Sequence, residues 1–151
     1  MNTSAFETAA EANLVDALRE QAHPVVSLVA EEGGEVIGHI MFSPVSLSGH
    51  PELRLMGLAP MAVAPAHQRK GIGSALVRAG LERCRQLGFG AVAVLGHPSY
   101  YPRFGFQPSA RFGIGSEYEA PPEAFMLLKL QPGYLHGVTG TVQFHAAFKD
   151  V

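Results

Sequence analysis

The stretch that decides the fold runs from Met61 to Phe106 and reads MAVAPAHQRKGIGSALVRAGLERCRQLGFGAVAVLGHPSYYPRFGF. Its first residues are a short apolar run that predicts a strand, and Pro65 ends that run. From Ile72 onward apolar residues recur with helical spacing, and Gly88 is a typical residue for the end of a helix. The intervening segment QRKGIGS therefore places two glycines and two cations where a strand gives way to a helix.

The start of this predicted helix has the chemistry of an anion site. The first turn of a helix has N–H groups without intrahelical partners and carries partial positive charge. Gly71 and Gly73 have no Cβ, so a ligand can approach the backbone closely. Arg69 and Lys70 repel the helix dipole, and a bound phosphate would remove that conflict. The glycines alone are equally typical of a plain turn beside a solvated basic pair.

Two familiar phosphate motifs do not match this segment. A dinucleotide fingerprint requires a third glycine where Leu76 stands, followed by an acidic residue after the next strand. A Walker A loop requires Gly-Lys-Ser/Thr, whereas the order here is Lys70-Gly71. Neither nucleotide-binding class is predicted.

The segment instead resembles the acyl-CoA signature Gln/Arg-x-x-Gly-x-Gly/Ala of the GCN5-related N-acetyltransferase (GNAT) superfamily, with Gln68, Gly71 and Gly73 at its fixed positions. Downstream, YPRFGF at 101–106 resembles the Tyr-x-x-φ-Gly-Phe motif of the same superfamily. The phrases SLVAEE, GHIMFSPV and GVTGTVQFHAAF extend the resemblance, to a small bacterial subfamily, over nearly the whole chain. It implies that residues 1–151 are one N-acetyltransferase domain.

The resemblance implies an α/β (α+β) fold with a mixed, mostly antiparallel sheet flanked by helices, and acetyl-CoA as cosubstrate. It places the backbone of Met61, Ala62 and Val63 along the pantetheine arm, in a gap between two strands. It places the pyrophosphate on the residues that begin the helix. These are Gln68, Arg69, Lys70, Gly71, Ile72, Gly73 and Ser74.

The same resemblance implies transfer of an acetyl group to a primary amine within a ternary complex. Such a reaction needs a proton donor for the thiolate, and Tyr101 suits this role because a phenol with a pKa near ~10 is protonated at neutral pH. Tyr100 would by itself be interpreted as a packed aromatic. We expect the oxyanion to be stabilised by a backbone N–H near Ala62 or Val63.

The general base is not identified by the sequence. His97 follows the strand that would line the cleft, so it is our candidate for contact with the substrate or thioester, although Gly96-His97-Pro98 also reads as a plain turn. Glu11 is explained by a helix-capping role, and His39 by hydrogen bonding in the core. Water is the remaining alternative as the proton acceptor.

Composition excludes several other classes. A net charge of −2 gives no reason to expect nucleic acid or a membrane as partner. The single cysteine, Cys84, lies on the apolar face of the helix and is predicted to be core, not a nucleophile. The histidines lack the paired spacing of a metal site, so no metal is predicted. Without a visible signal peptide or membrane span, we expect a cytoplasmic protein.

The rest of the chain predicts further elements in order. A capping box at 8–11 begins a helix to about Arg19; strands follow over 25–31, 35–42 and 53–64, with Gly33-Gly34 as a hairpin turn. Ser43-Pro44 is expected to interrupt pairing, and Pro60 to require a bulge. Strands are also predicted over 91–95, 125–130 and 141–147, with a helical turn at about 99–103.

Compared with the family's usual pattern, we expect the first strand to be absent from this sequence and an open sheet edge to result. An open edge is a pairing site, and we hypothesise that another copy covers it in a homodimer. A monomer by light scattering at micromolar concentration would exclude that. Two other function classes stay open at this point: a non-catalytic acyl-CoA sensor, and an interaction protein with an unused cleft. Release of free thiol in the presence of amines distinguishes the enzyme from both.

Overall fold

The computed structural model describes residues 25–50, 52–64, 68, 71–96, 98–116, 122–135 and 137–143. Within these ranges the strands are β1 (Val26–Glu32), β2 (Glu35–Leu47), β3 (Leu55–Val63), β4 (Ala91–Leu95), β5 (Gln107–Pro108), β6 (Ile114–Ser116), β7 (Phe125–Lys129) and β8 (Gly140–Gln143). The helix α1 spans Ile72–Gln86, and single 3₁₀ turns span Tyr101–Phe104, Ser109–Phe112 and Pro122–Ala124.

The strands form one mixed sheet, mostly antiparallel, in the order β5-β7-β4-β3-β2-β8-β6, with β1 also paired to β2. Parallel pairing joins β3 to β4 and β6 to β8. The predicted fold class is therefore confirmed. No helix among the described residues is long and apolar enough to cross a membrane.

Side-chain alternation along the strands divides the core between the two faces of the sheet. On one face, Val92 and Val94 of β4 pack with the apolar stripe of α1, formed by Leu76, Val77, Leu81 and Cys84. On the other face, Ala91 and Ala93 pack with residues of β2, β6 and β7. The helix is thus held against this face of the sheet, chiefly over β1 and β2 and also over β3.

The boundaries of α1 follow the sequence closely. The helix begins at Ile72 after Gly71, whose φ of 82° is a left-handed conformation that glycine adopts without strain. It ends at Gln86, and Gly88 follows with a φ of 88°. The prediction that Cys84 is core is confirmed, since it is fully buried and burial raises the pKa of its thiol to about 12.

The predictions made for two prolines in the sheet had different outcomes. The predicted bulge at Pro60 is confirmed: Ile40 faces Met61 while Phe42 faces Leu58, so two residues of β3 stand opposite one of β2. The predicted interruption at Ser43-Pro44 is wrong, because β2 continues through both residues to Leu47.

The physical reason for the second outcome is the arrangement of the neighbouring strands. The pairing of β1 with β2 ends at Phe42, and that of β8 begins at Ser46. Within the part of the chain that the structure describes, one side of β2 therefore has no pairing partner at Pro44, and a residue without an N–H can be accommodated there. The predictions for residues 8–19 and for 144–147 lie outside the described residues.

Candidate active site

The site begins where two parallel strands separate. The pairing of β3 with β4 covers three residue pairs, from Leu55 opposite Ala91 to Gly57 opposite Ala93. Beyond them β3 stays paired with β2, and β4 stays paired with β7. The segment from Leu58 to Val63 therefore has one side of its backbone turned away from any strand of the described sheet.

The hydrogen-bond pattern shows which backbone groups face this gap. The N–H of Ala64 donates to the carbonyl oxygen of Ile37 in the neighbouring strand β2, at 2.7 Å. Because backbone groups alternate along an antiparallel strand, those of Met61 and Val63 point the opposite way, into the gap. Ala62, which lies opposite His39, points toward β2. Of the two expected oxyanion donors, Val63 is the one whose N–H faces the gap.

Gln68 supports the loop between β3 and α1. Its side-chain amide donates to the carbonyl oxygen of Val63 at 3.0 Å, so it ties the end of β3 to the residues before the helix. The carbonyl of Val63 is thereby satisfied, and its N–H remains directed at the gap. Arg69 and Lys70, predicted to meet the pyrophosphate, lie outside the described residues.

The first turn of α1 opens beside the same gap. The first helical hydrogen bond runs from the N–H of Ala75 to Gly71, so the N–H groups of Ile72, Gly73 and Ser74 have no acceptor within the helix. This turn has neither a side-chain cap nor an acidic residue. Donors without helical acceptors, together with the helix dipole, suit an anion.

Because Gly73 has no Cβ, three side chains from other elements can approach this turn closely. A Cβ built on Gly73 would lie 3.3 Å from the Tyr100 hydroxyl oxygen, 3.7 Å from Val63 Cγ2 and 4.0 Å from Met61 Cε. The structure therefore brings the predicted pantetheine strand and the predicted pyrophosphate turn together at Gly73. A larger side chain would fill the space between them.

The two neighbouring tyrosines have different surroundings. Tyr101 begins the 3₁₀ turn after β4 and is 8% exposed, with its ring edge-on to Tyr100 and Phe106 and close against Gly96. Burial, followed by the proximity of Tyr100, raises the pKa of the Tyr101 phenol to about 12. A phenol in that environment keeps its proton at neutral pH, so it can act as a general acid but not as a general base.

Tyr100 is the residue that sequence reasoning missed. It is half-buried, and its hydroxyl lies 3.1 Å from Ser74 Oγ, within hydrogen-bond distance. The hydroxyl therefore stands over the first turn of α1, where we had expected only a packed aromatic. The sequence offers no signal for this, because two consecutive tyrosines in one motif differ only in the direction that the turn gives them.

The candidates for the general base are His39, His97 and Glu11. His39 is 5% exposed and its Nε2 lies 3.1 Å from Ser27 Oγ, which confirms the expected hydrogen-bonded core histidine. His97 and Glu11 lie outside the described residues, and their roles stay predictions. Within the ranges that the structure describes, no group of three or more His, Cys, Asp and Glu residues could hold a metal ion.

Comparison with known proteins decides the family. The model of the "Acetyltransferase (GNAT) family" matches residues 2–106. This chain belongs to the GNAT family. It is 39% identical over 144 residues to a GNAT-family relative from Escherichia coli K12, described as "Uncharacterized N-acetyltransferase YhbS", covering 95% of this chain and 86% of YhbS. Another relative from the same strain, "Uncharacterized N-acetyltransferase YjhQ", is 42% identical over 127 residues, covering 82% of this chain and 70% of YjhQ.

Solved GNAT structures agree in fold. The crystal structure of E. coli YhbS in complex with CoA matches with a TM-score of 0.87 at 38% identity, covering 95% of this chain and 80% of that one. A GNAT acetyltransferase from Brucella melitensis in complex with acetyl-CoA matches with a TM-score of 0.73 at 40% identity, covering 95% and 81%. The resemblance found in the sequence is therefore confirmed, and this chain has an acetyltransferase fold.

Proposed function

We propose that this protein transfers the acetyl group of acetyl-CoA directly to a primary amine within a ternary complex. The observation that carries this proposal is the gap between β3 and β4, which opens onto the uncapped glycine turn of α1. One side of the gap offers the unpaired backbone of β3, and its end offers free helix N–H groups. An extended chain that ends in a pyrophosphate matches both.

The reaction requires few groups from the protein. The amine nitrogen bonds to the thioester carbonyl carbon, the carbon–sulfur bond breaks, and the leaving thiolate takes the phenolic proton of Tyr101. The resulting Tyr101 phenolate regains a proton from solvent. The amine proton passes to water or to His97. The N–H of Val63 would face the carbonyl oxygen as negative charge develops on it.

The proposal defines the acceptor only by its chemical class, a primary amine. It is a small-molecule amine, a lysine side chain or a protein N-terminus. Action in the cytoplasm and assembly into a homodimer also stay proposals, without nucleic acid or membrane as partner. The enzyme class is an acyltransferase that transfers groups other than amino-acyl groups.

The test of this function has two stages. Calorimetric titration with acetyl-CoA should show saturable binding at micromolar levels, and addition of a panel of amines should then release free thiol. Binding of acetyl-CoA with no release of free thiol in the presence of any amine of the panel would favour a non-catalytic acyl-CoA-binding module. No binding to a folded sample would contradict the proposal and favour an interaction protein.

Tyr100→Phe separates the roles of the two tyrosines. The change removes the hydroxyl that holds Ser74 at the first turn of α1, and we expect the less well-ordered turn to raise the Kd for acetyl-CoA by about 2–10-fold. The value of kcat should change little. Calorimetry gives the first quantity and steady-state thiol release the second.

Tyr134→Phe is the matched control for this change. The Tyr134 hydroxyl accepts the Arg54 N–H at 2.8 Å, and its ring packs against Gly90, next to β4's first residue, away from the glycine turn. Its Kd should equal that of the unmodified protein. If Tyr100→Phe instead lowered kcat and left Kd unchanged, Tyr100 would replace Tyr101 as the proton donor.

A further inference from the structure

A cavity lies on the face of the sheet that does not carry α1. It encloses about 230 Å³ between the 3₁₀ turn at 109–112, the end of β7 and the glycine-containing loop that follows β7. Its lining residues are Arg111, Phe112, Lys129, Gly133, Leu135 and Gly137. Because Phe112 and Leu135 pack with the core on this face, the cavity is separate from the apolar stripe of α1.

The cavity is also distant from the candidate active site. Lys129 pairs with Ala91, the first residue of β4, whereas the gap between β3 and β4 opens only beyond Ala93. At about 3.3 Å per residue, Lys129 lies about 10 Å from the gap along β4. The binding of acetyl-CoA in the gap would therefore leave this cavity free.

The charge of the cavity is positive and uncompensated. Arg111 and Lys129 are its charged lining residues, and the lining contains no carboxylate. Within the part of the chain that the structure describes, neither cation forms an ion pair. Lys129 Nζ lies 5.9 Å from the ring centre of Phe112, a contact that positions the charge without neutralising it. Two like charges that line one cavity repel each other, and a bound anion would remove that repulsion.

The remaining lining is apolar side chain and turn backbone. Leu135 is 3% exposed and Phe112 is half-buried, so both present packed apolar surface. Gly133 and Gly137 contribute backbone alone, with φ values of 71° and 73° that glycine adopts without strain. A ligand can therefore approach the loop closely on one side of the cavity and contact apolar side chains on the other.

The volume limits the ligand to a small molecule. A cavity of about 150 Å³ accommodates a benzene ring. The larger volume found here has room for one ring or branched chain together with a carboxylate. An inorganic anion would use the two cations and leave the apolar surface of Phe112 and Leu135 in contact with water.

We propose that this cavity binds a small organic carboxylate. Its carboxylate group lies between Arg111 and Lys129, and its ring or branched chain lies on Phe112 and Leu135. A guanidinium group matches a carboxylate with two parallel hydrogen bonds, which a neutral group of the same shape cannot replace. This inference is independent of the proposed function, because none of these residues belongs to the gap or to the glycine turn.

The test is titration of the isotope-labelled full chain with benzoate, followed by the NMR signals of its backbone amides. Saturable shifts should occur at Phe112, Leu135 and Gly137, while the amides of Gly73 and Ser74 stay unchanged. Benzyl alcohol has the ring without the charge, and acetate has the charge without the ring. Each should bind at least about tenfold more weakly than benzoate.

Two variants remove one charge each. Arg111→Gln should raise the Kd for benzoate about tenfold and leave that for benzyl alcohol nearly constant, as loss of a charge-assisted hydrogen bond implies. Lys129→Gln should act in the same direction. Arg111 gives the more specific result, because Lys129 also lines a groove beside α1. Arg83→Gln is the matched control, since Arg83 is exposed on α1 and does not line the cavity, and its Kd for benzoate should be unchanged.

Several outcomes would overturn this inference and leave the proposed function intact. One is the absence of saturable shifts at these amides with either benzoate or isovalerate, a branched-chain carboxylate, up to about 10 mM, beyond which binding is too weak for a specific site. Another is equal affinity for benzoate and benzyl alcohol. A third is an unchanged Kd for benzoate in both Arg111→Gln and Lys129→Gln, which would mean that the carboxylate lies elsewhere.

Discussion

Replacing Tyr101 with phenylalanine should lower kcat by about 10²–10⁴-fold, the usual contribution of a positioned general acid. The change removes one hydroxyl and keeps the ring that packs against Gly96, Tyr100 and Phe106. The Kd for acetyl-CoA should therefore stay within about twofold, since the proton is needed only as the thiolate leaves. Steady-state thiol release and calorimetry measure the two quantities separately.

The same variant has a second readout that does not depend on turnover. The folded pKa of about 12 lies above the usual phenol value of ~10, so the fold disfavours the ionised form. The stabilisation is complete below about pH 10 and is lost as the pH rises toward 12, amounting to about 2–3 kcal/mol. Tyr101→Phe should lack this alkaline loss, as measured by denaturant unfolding across that window.

Normal turnover by Tyr101→Phe with a true acceptor would exclude Tyr101 as the proton donor. Tyr100→Phe would then be the informative comparison, because its hydroxyl is the other phenol at this turn. If the drop in kcat were accompanied by a loss in the free energy of unfolding below pH 10, Tyr101 would have a packing role instead.

Gly73→Glu should eliminate detectable binding of acetyl-CoA. The new side chain would enter the space between Tyr100, Val63 and Met61, and its carboxylate would stand at the helix turn where the pyrophosphate is expected. A negative charge there repels phosphate while being favoured by the helix dipole. The variant should therefore stay folded, and we expect the Kd for acetyl-CoA to rise by at least about 100-fold.

Gly115→Glu is the control for this change. Gly115 is exposed in β6, and a Cβ there meets nothing within 4 Å, so the same charge is added without filling a site. Its Kd should match that of the unmodified protein. Retained micromolar binding by a folded Gly73→Glu would mean that the glycine turn does not hold the cofactor.

Local signals in the sequence predicted α1 and its surroundings well. The helix could be located because its periodicity is strong and because Gly71 and Gly88 supply left-handed backbone at its two ends. The strand at 91–95 was found because a short apolar run follows the helix stop. Pro60 predicted a bulge because a missing N–H must be absorbed somewhere in a central strand.

Features that depend on distant residues were not predictable in the same way. Pro44 was predicted to interrupt β2. The prediction failed because the side of β2 that is unpaired at Pro44 among the described residues becomes visible only in the tertiary arrangement of β1 and β8. The direction of the Tyr100 hydroxyl depends on the phase of a 3₁₀ turn. Arg78, Arg103 and Lys129 line one groove although they come from separate elements, and no spacing in the sequence predicts this.

The short ladder between β3 and β4 also has a consequence for the lifetime of the protein. Within the described residues, the strand ladder that joins the β1–β3 part of the sheet to the β4, β5 and β7 part has only three residue pairs, and one further backbone hydrogen bond, from the N–H of Gly90 to the carbonyl oxygen of Arg54, precedes it. A ligand seated in the gap would act as a partial extra strand that bridges the two parts. It would slow amide exchange at Met61 and Val63 and stabilise the fold in proportion to the logarithm of its concentration. Resistance to proteolysis in the cell would then rise and fall with the acetyl-CoA supply.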